Sequence, residues 1–375
     1  MRRFDAIVVG AGPAGSTTAY RLARAGVSVL LLDRARFPRD KPCGGGLTLR
    51  AVRQLPFSVE AVVEERVDTL ELELRYARRF VRRSREPLVL MTQRRRLDAY
   101  LVDRAVEAGA ELRENAKVTR VAADGRVEVD GETLVASAVV GADGANGVTA
   151  RSLGLPARLE HGVALEGNVP YEAMERRRYE RRAVVSVGVV PGGYAWVFPK
   201  GDHVNVGVGG WTSEGPRLRE RLRELCVAHA IDESAVTELR GHRLPMRGGA
   251  QRADAGRALV VGDAAGIVDP LSGDGMYEAF LSGKLAAEAV LDLLGGRASD
   301  LFSYTRALAR ACAAAEAVSW RTKLAFDRFP AAAFELARLP LSWRLFETVV
   351  RGERRASEAR GFVAVPLRVL ETLGH

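Results

Sequence analysis

Residues 5 to 26 read DAIVV, then GAGPAG, then STTAYRLARAG: a short apolar run, three glycines at set spacing, and a helical stretch closing on Gly26. Few folds accept that order. A run of five nearly all-apolar residues is what a parallel strand buried on both faces requires. Of the three glycines, Gly10 makes the turn, Gly12 lets a pyrophosphate approach the backbone, and Gly15 lets helix and strand pack closely, with the small Ala14 between them. The helix N-terminus offers partial positive charge to phosphates. The next stretch, VSVLLLD, reads as a second strand whose terminal Asp33, with Arg34 beside it, stands where the ribose hydroxyls of an adenosine are held. A dinucleotide binds here.

After the second strand comes RARFPRDKPCGGG, which is not the next alternating unit of a nicotinamide-binding domain. ASAVVGADGANG (136–147) is a strand ending in Asp143-Gly144. RALVVGDAAGIVDPLSGDGMYEAFLSG (257–283) is a strand ending in Gly262-Asp263, with a helix beginning around Gly273-Asp274-Gly275. In a parallel sheet these strand ends share the carboxyl edge, where ligands bind. Three Gly/Asp turns along one edge match a ligand as long as FAD.

The bulk numbers narrow the rest. A chain of 375 residues, 47% hydrophobic and 27% charged, folds into two or more subdomains. No apolar run reaches the roughly 18 residues of a membrane span, and the N-terminus lacks a signal-peptide layout. Three widely spaced cysteines (Cys43, Cys226, Cys312) point to reduced thiols and a cytoplasmic location, and the five histidines show no metal-ligand spacing, so no metal is expected. The net charge of +9 concentrates in RYARRFVRRSR (75–85) and ERRRYERR (175–182). Those runs are either an attraction for an anionic partner or a solvated face; no nucleic-acid recognition module accompanies them.

GGYAWVFPKGDHVNVGVGG reads as two antiparallel strands joined at KGD, in a second sheet that also takes VDTLELEL (67–74) and AVVSVGVV (183–190). Alternation puts Tyr194, Trp196 and Phe198 on one face, as an aromatic wall for an apolar ligand or as plain core.

The glycine fingerprint, KPCGGG, RRRLD (94–98), GADGANG, YAWVFPKGDHVNVGVG and GDAAGIVDPLSGDG occur in an order and spacing that resemble the geranylgeranyl reductase family of flavoproteins, within the p-hydroxybenzoate hydroxylase-like superfamily. The resemblance runs over residues 4–285. It implies an α/β fold: a Rossmann-like FAD-binding domain of the glutathione reductase/p-hydroxybenzoate hydroxylase type (1–66, 92–156 and 250–296) and an inserted, mainly antiparallel β-sheet substrate domain (67–91 and 157–249). Beyond the resemblance, residues 297–375 are rich in Ala, Leu and Arg at helical spacing, as in YTRALARACAAAEAVSW, and are expected to form a helical C-terminal region. That last region would cover a substrate tunnel, lie on a membrane surface with its arginines at the headgroups, or simply pack on the flavin domain.

By the same resemblance, Arg94 touches the cofactor, Asp263 holds its ribitol, and the turn Pro270–Gly275 with Met276 faces the pyrimidine edge of the flavin. Cys43, Gly44, Gly45 and Val118 join these cofactor contacts, and Gly46 lies with the substrate. The glycines after Cys43 would leave the floor of the cavity open, and Cys43 would be a proton donor, a substrate-positioning group or a small buried residue. One departure is visible: serine is common after GADGAN, and Gly147 stands here, so a hydroxyl contact is missing.

The implied reaction is saturation of isolated C=C bonds in isoprenoid chains. Hydride comes from reduced flavin, a proton from Cys43, Tyr194 or an ordered water, and electrons from NAD(P)H docking transiently or from a ferredoxin-type donor. Prenyl diphosphates, prenyl lipids and polyprenyl quinones are all candidate substrates. The alternatives are an FAD monooxygenase using NAD(P)H and oxygen on an apolar substrate, a flavin halogenase, and a flavin carrier with no substrate.

Overall fold

The apolar N-terminal run forms the strand Arg3–Val9 in the middle of an eight-stranded sheet. The computed structural model describes residues 3–156, 158–353 and 365–374. Val29–Leu32 and Glu111–Arg113 lie parallel on one side of that strand, Glu132–Gly141 and Ala258–Val260 on the other. Their ends are in register: Leu32, Val9, Gly141 and Val260 form one row. Asp33, Gly10, Asp143 and the Gly262-Asp263 pair therefore all emerge at one edge. The helices Pro13–Arg24, Met276–Leu294 and Phe302–Arg328 cover one face. Gly283 lets the first two cross, since a Cβ there would lie 2.9 Å from the Ala14 carbonyl.

A seven-stranded sheet stands beside it, built from Thr69–Leu74, Arg78–Arg83, Glu160–Pro170, Arg182–Val187, Tyr194–Lys200, His203–Trp211 and Thr237–Met246. Its strands pair antiparallel except for Thr69–Leu74 with Arg182–Val187. Val184, Ala195, Val197, Val204, Val206 and Val208 face the helix Leu218–Ala228 and make one core. The opposite face carries the candidate site.

One segment sits differently from the expected division. Val89–Thr92, which mostly falls in the 67–91 stretch assigned to the substrate sheet, pairs instead with Gly46–Thr48 and Val63–Val67 in a separate three-stranded sheet. This small sheet ties the triple-glycine loop to the helix Arg94–Glu107 that comes after Val89–Thr92.

The described part of the C-terminal region is helical and packs on the protein. Phe326 and Phe334 join Leu72, Leu74 and Val187 at one end of the site face, and the Tyr304 hydroxyl donates to the Val260 carbonyl at 2.8 Å. The two arginine runs meet at one sheet edge: buried Asp68 pairs with Arg83 and Arg181, and buried Glu71 with Arg79 and Arg182.

Candidate active site

The three fingerprint glycines occupy three different environments. Gly10 has φ 99°, and a Cβ would strike the Ala142 carbonyl at 2.4 Å; at Gly15 the Gly10 carbonyl would be 1.8 Å away. Before Gly12 the nearest atom to such a Cβ is Arg39 Nη2, at 3.5 Å, so the backbone here is open. The helix starting at Pro13 has no side-chain cap and no acid in its first turn, which suits a diphosphate. Asp33 accepts from the backbone N–H groups of Ala11 and Ala35, each at 2.8 Å, one on each oxygen; this orients the carboxylate. Arg34 beside it is exposed. Val118 buries its side chain with Ile7, Val9, Leu30 and Leu32, so only its backbone is available to a ligand. These features fit FAD.

At the third strand, Asp143 Oδ2 accepts from the N–H groups of Val148 and Thr149 and from Thr149 Oγ1 at 3.0 Å. Thr149 thus supplies a hydroxyl contact where Gly147 has none to offer. Gly147 is glycine because the Asp143 carboxylate lies against it, 2.2 Å from where a Cβ would stand. Gly144 beside it has φ 77° and open space before it.

The glycines after Cys43 are required by the protein itself. A Cβ on Gly44 would lie 3.0 Å from the Phe198 ring, one on Gly46 2.9 Å from Val89 Cγ1, and Gly45 (φ 81°) would meet the Thr92 carbonyl at 2.2 Å. The loop is pressed between the small sheet and the aromatic wall, and the Gly45 N–H donates to Cys43 Sγ at 3.4 Å. Cys43 is half-buried. Its own N–H donates to Glu166 Oε1 at 2.6 Å, and its carbonyl accepts from Lys200 Nζ at 2.7 Å.

Register explains how that wall is assembled. Leu72, Val185, Trp196, Gly207, Glu166 and Arg240 form one row across six strands; Leu74, Val187, Tyr194, Gly209, Ala164 and His242 form the next. The face thus grades from aliphatic through aromatic to charged. Tyr194, Trp196 and Phe198 sit with ring centroids 5.9 and 6.1 Å apart. Trp196 Nε1 donates to Asn205 Oδ1 at 2.8 Å, satisfying its polar atom in a buried setting.

At the charged end, Asp263 meets Lys41 at 3.2 Å and His242 at 3.5 Å. Burial alone would raise its carboxyl, but the Lys41 ammonium and the hydrogen bond with His242 hold it well below the usual carboxylate range. Buried Arg94 makes a two-pronged pair with Asp98 at 2.7 and 2.8 Å, and Arg39 reaches the same carboxylate at 3.0 Å. The turn before the helix Met276–Leu294 is held by Asp269, which accepts from Ser272 and from Ser319 of the helix Phe302–Arg328. Gly273 and Gly275 flank Asp274, whose Oδ1 accepts the Met276 N–H at 2.8 Å. The Tyr194 hydroxyl donates to the Ser272 carbonyl, and burial raises its pKa. In that helix's first turn, burial and then Asp274 push Glu278 well above the usual range, against the nearby Arg50.

Sequence reasoning missed Glu166, Lys200 and His242 and treated Lys41 only as part of a motif. Lys200 had a signal: the alternation through Tyr194, Trp196 and Phe198 continues to it. Glu166 and His242 come to this face by register with strands far away in the chain, which spacing alone does not reveal.

The FAD binding domain family matches residues 3–319. The chain is 36% identical over 313 residues to digeranylgeranylglycerophospholipid reductase 1 of Methanopyrus kandleri, covering 78% of this chain and 81% of that protein. It is 33% identical over 315 residues to the chloroplastic geranylgeranyl diphosphate reductase of Oryza sativa subsp. japonica, covering 77% and 67%. The crystal structure of a geranylgeranyl bacteriochlorophyll reductase-like protein from Thermoplasma acidophilum superposes with a TM-score of 0.83 at 20% identity, over 99% of this chain and all of that one. The chain belongs to the geranylgeranyl reductase family of FAD-dependent oxidoreductases.

Proposed function

We propose that this enzyme saturates isolated C=C bonds in the isoprenoid chain of a prenyl diphosphate, prenyl lipid or polyprenyl quinone. The observation that carries this reading is the closure of the Cys43 loop onto the aromatic row, with Gly44 packed on Phe198 and Trp196 beside it. A thiol, an apolar wall and a flavin-binding edge meet in one place. Bound FAD, once reduced, supplies the hydride for one alkene carbon.

The protein's own residues do the rest. Tyr194, Trp196 and Phe198 line an apolar path and exclude water, which an isolated alkene requires if proton delivery is to build charge at its more substituted carbon. At about 0.8 kcal/mol per buried CH₂, a prenyl chain gains ample affinity from such a wall. Tyr194 already gives its hydroxyl hydrogen to Ser272, so Cys43 is the better candidate to protonate the second carbon. Asp263, with Lys41 and His242, holds the ribitol; Arg94 stands behind the Cys43 loop.

The electron donor is NAD(P)H docking transiently or a ferredoxin-type protein. No described helix is long and apolar enough to cross a membrane. A peripheral contact is proposed through the exposed Phe329, Leu339, Phe346, Val365 and Val369 of the C-terminal helices, beside the arginine-rich edge strand Arg78–Arg83. The test is product mass after turnover with geranylgeranyl diphosphate and with a polyprenyl quinone: a gain of two hydrogens per bond supports the reading, and a gain of one oxygen makes the enzyme a monooxygenase.

A further inference from the structure

We propose that Glu166 and Lys200 are positioning residues for Cys43, gripping the peptide groups on either side of it and so setting where the thiol points. The grip is two-sided: Glu166 Oε1 accepts the Cys43 N–H at 2.6 Å, and Lys200 Nζ donates to the Cys43 carbonyl at 2.7 Å. The two side chains come from Glu160–Pro170 and Tyr194–Lys200, strands that both pair with His203–Trp211 from opposite sides. The loop leads into Gly46–Thr48 of the three-stranded sheet, so the grip also joins that sheet to the seven-stranded one.

The loop needs such a grip. Gly44, Gly45 and Gly46 have the greatest backbone freedom of any residue type, and the loop's own hold on Cys43 is the 3.4 Å hydrogen bond from the Gly45 N–H to Sγ, so the cysteine's peptide groups are held from outside the loop. Taking a carboxylate and an ammonium out of water is unfavourable unless each is hydrogen-bonded and compensated. Burial pushes the Lys200 ammonium down and the Glu166 carboxyl up, and each is partly restored by the other's charge. Each is also hydrogen-bonded to the main chain of the same cysteine, Glu166 as acceptor and Lys200 as donor. Lys200 does more, because its Cε lies 2.6 Å from where a Cβ on Gly45 would stand and so walls that side of the loop.

The test is the rate at which iodoacetamide alkylates Cys43 in the FAD-loaded full chain, read peptide by peptide so that Cys226 and Cys312 report separately on folding. In Glu166→Leu and in Lys200→Met the freed loop should alkylate at Cys43 about tenfold faster or more, the scale of one lost charge-assisted hydrogen bond. Glu166→Gln, which keeps an acceptor oxygen, should return the Cys43 rate close to that of the parent, and the other two cysteines should not change. Equal Cys43 rates in the parent, Glu166→Leu and Lys200→Met would overturn the proposal; if Glu166→Leu does not fold, Lys200→Met and Lys200→Arg make the same comparison.

The catalytic consequence rests on the proposed function. Single-turnover oxidation of the reduced enzyme by geranylgeranyl diphosphate should slow in the variants whose Cys43 rate has changed. A changed alkylation rate with undiminished turnover would leave the grip standing and count against Cys43 as proton donor.

Discussion

Trp196 lies across Gly207, the residue directly opposite it on the neighbouring strand, so closely that a Cβ on that glycine would sit 2.1 Å from the ring. Gly207 is therefore the floor on which the indole rests. Gly209 stands opposite Tyr194 in register, but a Cβ there would first meet the Val163 carbonyl, at 3.3 Å.

Gly207→Ala is accordingly expected to lift the indole from the sheet. Overpacking of this kind destabilises by about 1–3 kcal/mol. Chemical denaturation would measure the loss, and tryptophan fluorescence would report the displaced ring. Unchanged stability with an unchanged spectrum would mean that the wall is looser than this packing implies.

If Asp263 holds the flavin as proposed, the flavin-binding edge is expected to be acid-sensitive. Lys41 and His242 hold the Asp263 carboxyl below the usual value, so its ionised form contributes stability that is complete above about pH 4 and is lost as the pH falls through the lowered native value. Lys41→Met removes the ammonium and raises the native value towards the ordinary one. Flavin release on acidification should then begin at a higher pH than in the parent. A midpoint unmoved by the substitution would show that Lys41 does not act on this carboxylate.

Lys323 gives a pH slope of the same sign in the alkaline range. Its ammonium donates to the Gly192 carbonyl and lies 4.4 Å from the centre of the Trp211 ring, and burial lowers its pKa to about 8. Between about 8 and the ordinary lysine value near 10.4 the unfolded chain binds the proton and the folded chain does not, so stability gains with rising pH there. The stability of the parent relative to Lys323→Met should climb across that window. A flat difference would contradict the burial described.

Much of the nucleotide half was legible in the chain. The glycine spacing, Asp33, and the two later Gly/Asp turns carry their chemistry locally, because a strand end and a helix start adjoin in sequence. The alternation of Tyr194, Trp196 and Phe198 likewise survived folding, since pleating alone puts them on one face. The triple glycine was legible as a close approach, but its neighbours Phe198, Thr92 and Val89 were not, because they arrive from other strands. The same holds for Glu166 and His242, whose places depend on register across the seven-stranded sheet. The Val89–Thr92 strand went to a third sheet for a comparable reason: its partners, Gly46–Thr48 and Val63–Val67, lie before it in the chain, while the residues between them fold elsewhere.

The most direct measurement is anaerobic. The bound flavin is reduced with dithionite, geranylgeranyl diphosphate or a polyprenyl quinone is added, and oxidised-flavin absorbance is followed. Recovery is expected, with a product heavier by two hydrogens, slowed about a hundredfold or more in Cys43→Ala if the thiol is the general acid. No recovery with either lipid, together with rapid substrate-stimulated oxygen uptake in air, would contradict the proposed alkene reduction.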